Sequence, residues 1–260
     1  MPLSIDLSGK KALVTGVSSG IGLGIARMLN EAGCDVAGCG RSAPSHPGAL
    51  AFLEATRRGG RRGIYRSCDL TQEAGARTWV AEMAAELGAV DLLVSNAGRN
   101  VFTGAASCSE PEWSECMDLD LAAHWRTAQA ARPHLDLARG VVLIITSNHA
   151  FSTIPGCFPY NVAKAGLVAM VQSMALEWGP AIRTIGIAPG FIDTPGNDTW
   201  FSSFPDPAAE RLRTERLHPV GRIGTPAEIG ALCAFLASPM AGFISGTTLL
   251  VDGGRSAVLQ

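Results

Sequence analysis

A marked excess of charge of either sign is missing from this 260-residue chain: 23 acidic and 21 basic side chains leave a formal net charge of −2. That balance argues against a nucleic-acid binder and against a polybasic protein held at a membrane surface. A membrane-spanning run is missing too. The long uncharged stretch from Val141 to Ala163 opens with apolar residues, Val141 to Ile145, and then meets Thr146, Ser147, Asn148, His149, Pro155, Gly156 and Pro159. A span of about 20 apolar residues does not tolerate that composition. The N-terminal MPLSIDLSGKK holds no apolar core of signal-peptide length. The cysteines (34, 39, 68, 108, 116, 157 and 233) are odd in number and form no C-x-x-C spacing. A disulfide framework and a metal site are therefore not expected, and reduced thiols in the cytoplasm are. The chain also lacks internal repeats, low-complexity tracts and Pro/Ser-rich linkers.

Glycine, in contrast, is abundant, at 30 residues against a usual share of roughly 7%. With 47% apolar and 17% charged residues, the chain can bury a substantial core. Short apolar runs at Ala12–Thr15, Val36–Cys39, Gly63–Ser67, Leu92–Ser95, Val141–Thr146, Thr184–Ala188 and Thr247–Val251 read as strands. They lack polar alternation, as strands covered on both faces do. Helical patterns lie between them at Ile21–Ala32, Gln72–Leu87, Glu110 to Ala138, Tyr160–Trp178 and Ala227–Leu236. Thr71 before an acidic turn and Thr225-Pro226 are read as helix starts. The alternation predicts α/β architecture: a single doubly wound, Rossmann-type domain over residues 1–260. About seven parallel strands would carry helices on both faces. The segment from Thr194 to Gly221 breaks the pattern with Pro195, Pro205, Pro207 and Pro219 and the exposed-type aromatics Trp200, Phe201 and Phe204. It reads as a substrate lid or as a surface excursion with its own small cluster.

The first strand runs into Thr15-Gly16-Val17-Ser18-Ser19-Gly20-Ile21-Gly22 and then a helix. Glycines there permit a tight turn and close approach to a pyrophosphate, and the helix N-terminus offers free N–H groups to it. Tyr160 and Lys164 stand four residues apart, on one helical face, with Ser147 thirteen residues upstream. A phenol with its ordinary pKa of about 10 is a poor base at neutral pH, and a neighbouring ammonium favours its phenolate.

The chain resembles the classical short-chain dehydrogenase/reductase family. The resemblance rests on the TGxxxGIG loop at 15–22, Cys68-Asp69-Leu70, Ser95-Asn96-Ala97-Gly98, the set Ser147, Tyr160 and Lys164, Pro189-Gly190 with Ile192 and Thr194, and Val251-Asp252-Gly253-Gly254. It covers residues 7 to 256. It implies a nicotinamide nucleotide held by Gly16, Ser18, Ser19, Gly20, Ile21, Gly22, Arg41, Ser42, Asp69, Leu70, Asn96, Ala97, Gly98, Tyr160, Lys164, Pro189, Gly190, Ile192 and Thr194. It also implies that Tyr160 exchanges the proton, Ser147 orients the substrate oxygen and Lys164 holds ribose hydroxyls while hydride moves. A homotetramer acting on a small molecule is implied as well, with the apolar final strand and Val258-Leu259 near an interface. An acidic residue at the end of the second strand would repel a 2′-phosphate, whereas this chain has Gly40, Arg41 and Ser42 there. NADP is therefore expected over NAD, with arginine stacking on adenine and either nucleotide binding as the alternative.

The chain departs from the family where an asparagine normally completes a catalytic tetrad: alignment puts Asp120 there. Its backbone carbonyl would survive the change, and its carboxylate would hold the Lys164 charge more firmly. Ile185 also replaces a frequent asparagine, which reads as a packing change. Asn148, His149 and Cys157, with Phe191 and Trp200 beyond, are the candidate substrate contacts, and they lean towards a polar or sugar-like alcohol. His149 bonding a backbone carbonyl is the competing reading. Arg211, Arg213 and Arg216 read as an anion site or as a solvated helix face beside Glu210 and Glu215. The expected activity is hydride transfer between NAD(P) and a secondary alcohol or ketone. The alternatives are a 3-oxoacyl-thioester reductase and a non-catalytic cofactor-binding regulator.

Overall fold

Residues 4–258 are described in a computed structural model of the chain. Alternation along the strands, invisible as polarity, is visible as a division of the core. On β1 (Lys11–Thr15), Ala12 and Val14 join one apolar cluster and Leu13 the other. On β4 (Leu92–Ser95) and β5 (Val141–Ile145), Leu92, Val94, Val141, Leu143 and Ile145 face one side, while Leu93, Val142 and Ile144 face the other. Period-2 side-chain alternation with apolar residues at both phases requires cover on both faces, which crossover helices supply.

The remaining strands are β2 (Asp35–Gly40), β3 (Gly63–Ser67), β6 (Arg183–Pro189) and β7 (Thr248–Val251). The pairings between these seven strands are all parallel, in the order β3-β2-β1-β4-β5-β6-β7. The chain moves outward from β1 to β3, then returns to β4 on the other side of β1. Connections leaving β1 and β4 therefore diverge, and a crevice opens above their C-terminal ends.

The intervening helices are α1 (Gly20–Glu31), α2 (Pro47–Arg58), α3 (Glu73–Leu87), α4 (Glu110–Met117), α5 (Ala123–Ala138), α6 (Tyr160–Trp178), α7 (Pro195–Phe201), α8 (Pro207–Arg216) and α9 (Pro226–Ala237). Several boundaries correct the sequence reading. The region from Glu110 to Ala138 is not one regular helix: a π-helical turn at Asp118–Ala122 joins α4 to α5. Helix α2, unforeseen because Pro47-Gly48 reads as a turn, starts with Pro47 in its first turn and with the His46 ring accepting from Gly48 N at 3.1 Å. Thr71 does not cap α3; Gln72 precedes its first residue, and the Thr71 N–H and hydroxyl both donate to Asp69 Oδ1. Thr225 does cap α9, in a reciprocal box with Glu228.

The 194–221 insertion folds as α7 and α8. Two of its prolines, Pro195 and Pro207, mark helix starts, capped by Thr194 and Asp206. Phe201 is buried, contrary to its exposed-type reading, and packs its ring 5.3 Å from Phe191 and 5.2 Å from Trp200. Ile185 is wholly buried in the core. Leu259, expected with Val258 near a subunit interface, lies outside the described residues. Among the described residues no helix is long and apolar enough to cross a membrane.

Helix α1 lies against α9 with almost no space between backbones. A methyl on Gly24 would sit 2.5 Å from Pro226 Cβ and 2.7 Å from the Pro226 carbonyl oxygen. Helix propensity alone would favour Gly24→Ala by about 1 kcal/mol. The clash is with backbone, so overpacking of about 1–3 kcal/mol outweighs it. Gly24→Ala is expected to lower Tm in a thermal melt by a few degrees, and a rise in Tm would show that the helices stand further apart.

Candidate functional site

The crevice above β1 and β4 is a cavity of about 1280 Å³ running from the end of β2 to the insertion. At its nucleotide end, β1 leads into Gly16 (φ +74°) and Gly20 (φ +52°), backbone that favours glycine. A Cβ on Gly22 would lie 2.1 Å from Gly16 O, so only glycine lets this turn close on itself. Ser19, at the N-cap of α1, has extended backbone and makes no side-chain cap. The first N–H groups of α1 therefore lack the usual side-chain acceptor, which fits a phosphate-bearing ligand. Thr15 Oγ1 accepts from Asn96 N and Ala97 N at 2.8 and 2.9 Å, and Asn96 Nδ2 donates to Thr15 O at 2.9 Å. These bonds tie the ends of β1 and β4 together beneath the cradle.

Of the nucleotide-binding candidates, Gly16, Ser18, Ser19, Gly20, Ile21, Gly22, Arg41, Asp69, Leu70, Asn96, Ala97, Gly98, Pro189, Gly190, Ile192 and Thr194 line this cavity. Ser42 does not. Its carbonyl accepts the Tyr65 hydroxyl at 2.9 Å, fixing the loop after β2 from below. No carboxylate ends β2, and Arg41, exposed, stands at the cavity margin.

At the other end Ser147, Tyr160 and Lys164 are buried and line the same cavity. Ser147 follows β5 in extended backbone, while Tyr160 opens α6 and Lys164 sits one turn on. The Lys164 ammonium lies 5.3 Å from the Tyr160 ring centroid. Burial raises the Tyr160 pKa, with the Lys164 charge and a hydrogen bond with Ser147 opposing the rise. Burial works against the Lys164 charge, yet Asp120 and Tyr160 together hold it above the ordinary lysine value. Asp120 also lines the cavity, with Oδ1 3.2 Å from Lys164 Nζ.

The candidate substrate contacts Asn148, His149, Cys157, Phe191 and Trp200 all line this end. His149 bonds Thr153 Oγ1 at 3.2 Å, so the backbone-carbonyl reading does not hold. Burial and the Arg255 charge lower its pKa, which keeps the ring neutral at neutral pH. Burial raises the Cys157 pKa, and its thiol stays protonated. Arg211 is held by Asp193, Asp198 and Glu215, and Arg213 by Glu210, as on a solvated helix face. Of the three lid arginines only Arg213 reaches this cavity.

Two contributions went unforeseen. Phe102 sets its ring edge-on to Tyr160 at 5.3 Å; its only sequence signal is its place shortly after Asn96-Ala97-Gly98. Ser256, from the turn after β7, accepts from Asn148 Nδ2 at 3.5 Å, a contact between residues 108 apart that no local pattern announces. Among the described residues no group of His, Cys, Asp or Glu side chains is arranged to hold a metal.

Residues 16–256 match a family model described as enoyl-(acyl carrier protein) reductase. The 3beta-hydroxysteroid dehydrogenase 1 of Eggerthella lenta is 34% identical over 254 residues, covering 96% of this chain and 95% of that protein. The L-fucose dehydrogenase of Bos taurus is 33% identical, covering 98% and 92%. A solved short-chain dehydrogenase/reductase from Serratia marcescens superposes with a TM-score of 0.88 at 29% identity, covering 96% and 99%. The chain belongs to the short-chain dehydrogenase/reductase family and is an NAD(P)-dependent oxidoreductase acting on alcohol or ketone substrates.

Proposed function

We propose that the protein is an NADP-preferring alcohol dehydrogenase or carbonyl reductase for a polar, sugar-like secondary alcohol. The observation that carries this reading is the convergence of Ser147, Tyr160 and Lys164 on one cavity with an uncapped glycine cradle. The cradle from Gly16 to Gly22 would take the pyrophosphate, Asp69 and Leu70 the adenine, and Asn96–Gly98 with Pro189–Thr194 the nicotinamide half. When bound, the nicotinamide supplies the hydride acceptor or donor.

The chain does the rest. Ser147 Oγ donates to the substrate oxygen and orients it. Tyr160 Oη accepts the hydroxyl proton during oxidation and returns it to the carbonyl oxygen during reduction. Lys164 stabilises the phenolate and holds ribose hydroxyls. The inward face of α7, with Trp200 beside Phe191, supports a lid role for the insertion.

Relatives named for a hydroxysteroid and for L-fucose are similarly close in sequence, so relatedness does not select the substrate. The cavity lining favours the sugar-like class: Asn148, neutral His149 and Ser256 offer hydrogen bonds opposite the aromatic wall. Preference for NADP rests on Gly40 at the end of β2 and on exposed Arg41 beside it. Seven unpaired thiols suit the cytoplasm, and exposed Phe243, Leu250 and Val258 suit a homotetramer interface.

Tyr160→Phe is expected to reduce kcat by about 10²–10⁴-fold. The assay follows reduced-nicotinamide absorbance over sugars, polyols, hydroxy acids and simple secondary alcohols, with NADP and NAD tested separately. Nucleotide affinity should survive this change, and near-wild-type turnover would remove Tyr160 from the chemistry. Arg41→Asp should weaken NADPH binding about ten- to a hundred-fold and improve NADH binding. Unchanged affinity for both nucleotides would overturn the NADP assignment.

A further inference from the structure

A second buried charge lies beside the one under Tyr160. Asp120 is fully buried on the π-helical turn at Asp118–Ala122, with Oδ1 3.2 Å from Lys164 Nζ. The carboxylate also accepts from Arg99 N, at 3.2 Å to Oδ1 and 3.4 Å to Oδ2, which helps to orient it. Gly98 admits the pair: a Cβ there would lie 2.6 Å from Asp120 Oδ1 and 3.2 Å from Lys164 Nζ. Residue 98 therefore has to leave this space empty for carboxylate and ammonium to meet.

The other titratable groups packed around the pair carry little charge into it. Burial, and then Asp120, push the Cys116 thiol up to about 12. Burial and the Lys164 charge push His124 well below the ordinary histidine value, with Nδ1 2.8 Å from Ser95 Oγ. The Arg99 guanidinium turns outward to Glu115 at 2.6 Å, both side chains half exposed. His149, facing Tyr160 from the substrate side, is held neutral by burial and by Arg255. Two opposite charges and one phenol thus meet at the wall of the cavity with their side chains almost wholly buried.

We propose that Asp120 is a positioning residue of the reaction: its ion pair fixes the Lys164 ammonium beneath Tyr160 and sets the pH range over which Tyr160 exchanges a proton with substrate. This rests on the reading of Tyr160 as the proton donor and acceptor. A lone buried ammonium would favour phenolate strongly, whereas a carboxylate at hydrogen-bonding distance cancels most of its field at the phenol. Asp120 therefore keeps Tyr160 protonated to higher pH, which extends carbonyl reduction upward and confines alcohol oxidation to more alkaline solution.

The chain has two tyrosines, Tyr65 and Tyr160. In a Tyr65→Phe background, tyrosinate absorbance of the nucleotide-free protein reports Tyr160 alone. Asp120→Asn, nearly isosteric, should move that midpoint down by about one pH unit. The oxidation and reduction pH–rate profiles should follow by the same amount. Gly98→Ala, whose methyl would displace Oδ1 from Nζ, should move the midpoint the same way if Asp120→Asn does not fold. A midpoint that stays or rises would overturn the proposal, as would a shift in titration that the rate profiles do not follow. The titration needs neither substrate nor nucleotide, so its outcome is separate from that of Tyr160→Phe, which tests the catalytic reading itself.

Discussion

Everything at the site depends on β1 and β4 lying side by side while their connections leave in opposite directions. Parallel strands place all their C-terminal ends on one edge, so seven strands deliver their following loops to one side of the sheet. Only at the switch between β1 and β4 do those loops diverge enough to leave a crevice. The bonds from Asn96 and Ala97 to Thr15 hold the two strand ends together, so the crevice opens above them rather than between them. The glycine cradle comes from one side of that switch and Gly98 from the other. Ser147 follows β5, the next strand over, and α6 folds back to bring Tyr160 and Lys164 beside it.

The outline of this arrangement was legible in the sequence because its constraints are local. A glycine loop directly after an apolar run, and a tyrosine four residues before a lysine, report geometry within one turn of the chain. Strand positions were legible because both faces are apolar: β3 and β4 have the boundaries expected, and the others shift by one residue at one or both ends. Local constraints fail where packing decides. Pro47-Gly48 reads as a turn, yet Phe52 has a core to enter, so the segment folds as α2. Pro195 and Pro207 of the insertion look like breakers and instead begin helices, and in the first of these Phe201 buries against Phe191 and Trp200. Ser42 misses the cavity because Tyr65, from a neighbouring strand, holds its carbonyl. Ser256 reaches Asn148 only once the sheet has brought β7 beside β6. Each of these depends on a partner distant in sequence, and no window of one strand or helix contains it.

The two ends of the cavity handle charge in different ways, and burial explains the difference. Arg41 is exposed, so the pull proposed for it on a nucleotide phosphate would act through solvent and weaken as salt rises, with a Debye length of about 8 Å at physiological ionic strength. Such a group can tune which nucleotide binds without disturbing the fold, since its removal leaves nothing buried and unpaired. The side chains of Lys164 and Asp120 are 4% and 0% exposed. Each charge is stabilised there by the other, because desolvation of a buried ion is costly and a partner at hydrogen-bonding distance offsets it. The pair must form as the protein folds, and it stands whether or not a ligand is present. The proposed role of the pair in proton exchange requires charges already oriented when the reaction begins. The cost of burying them is met during folding, through the close packing of the π-helical turn and α6 that leaves no room for a side chain at residue 98.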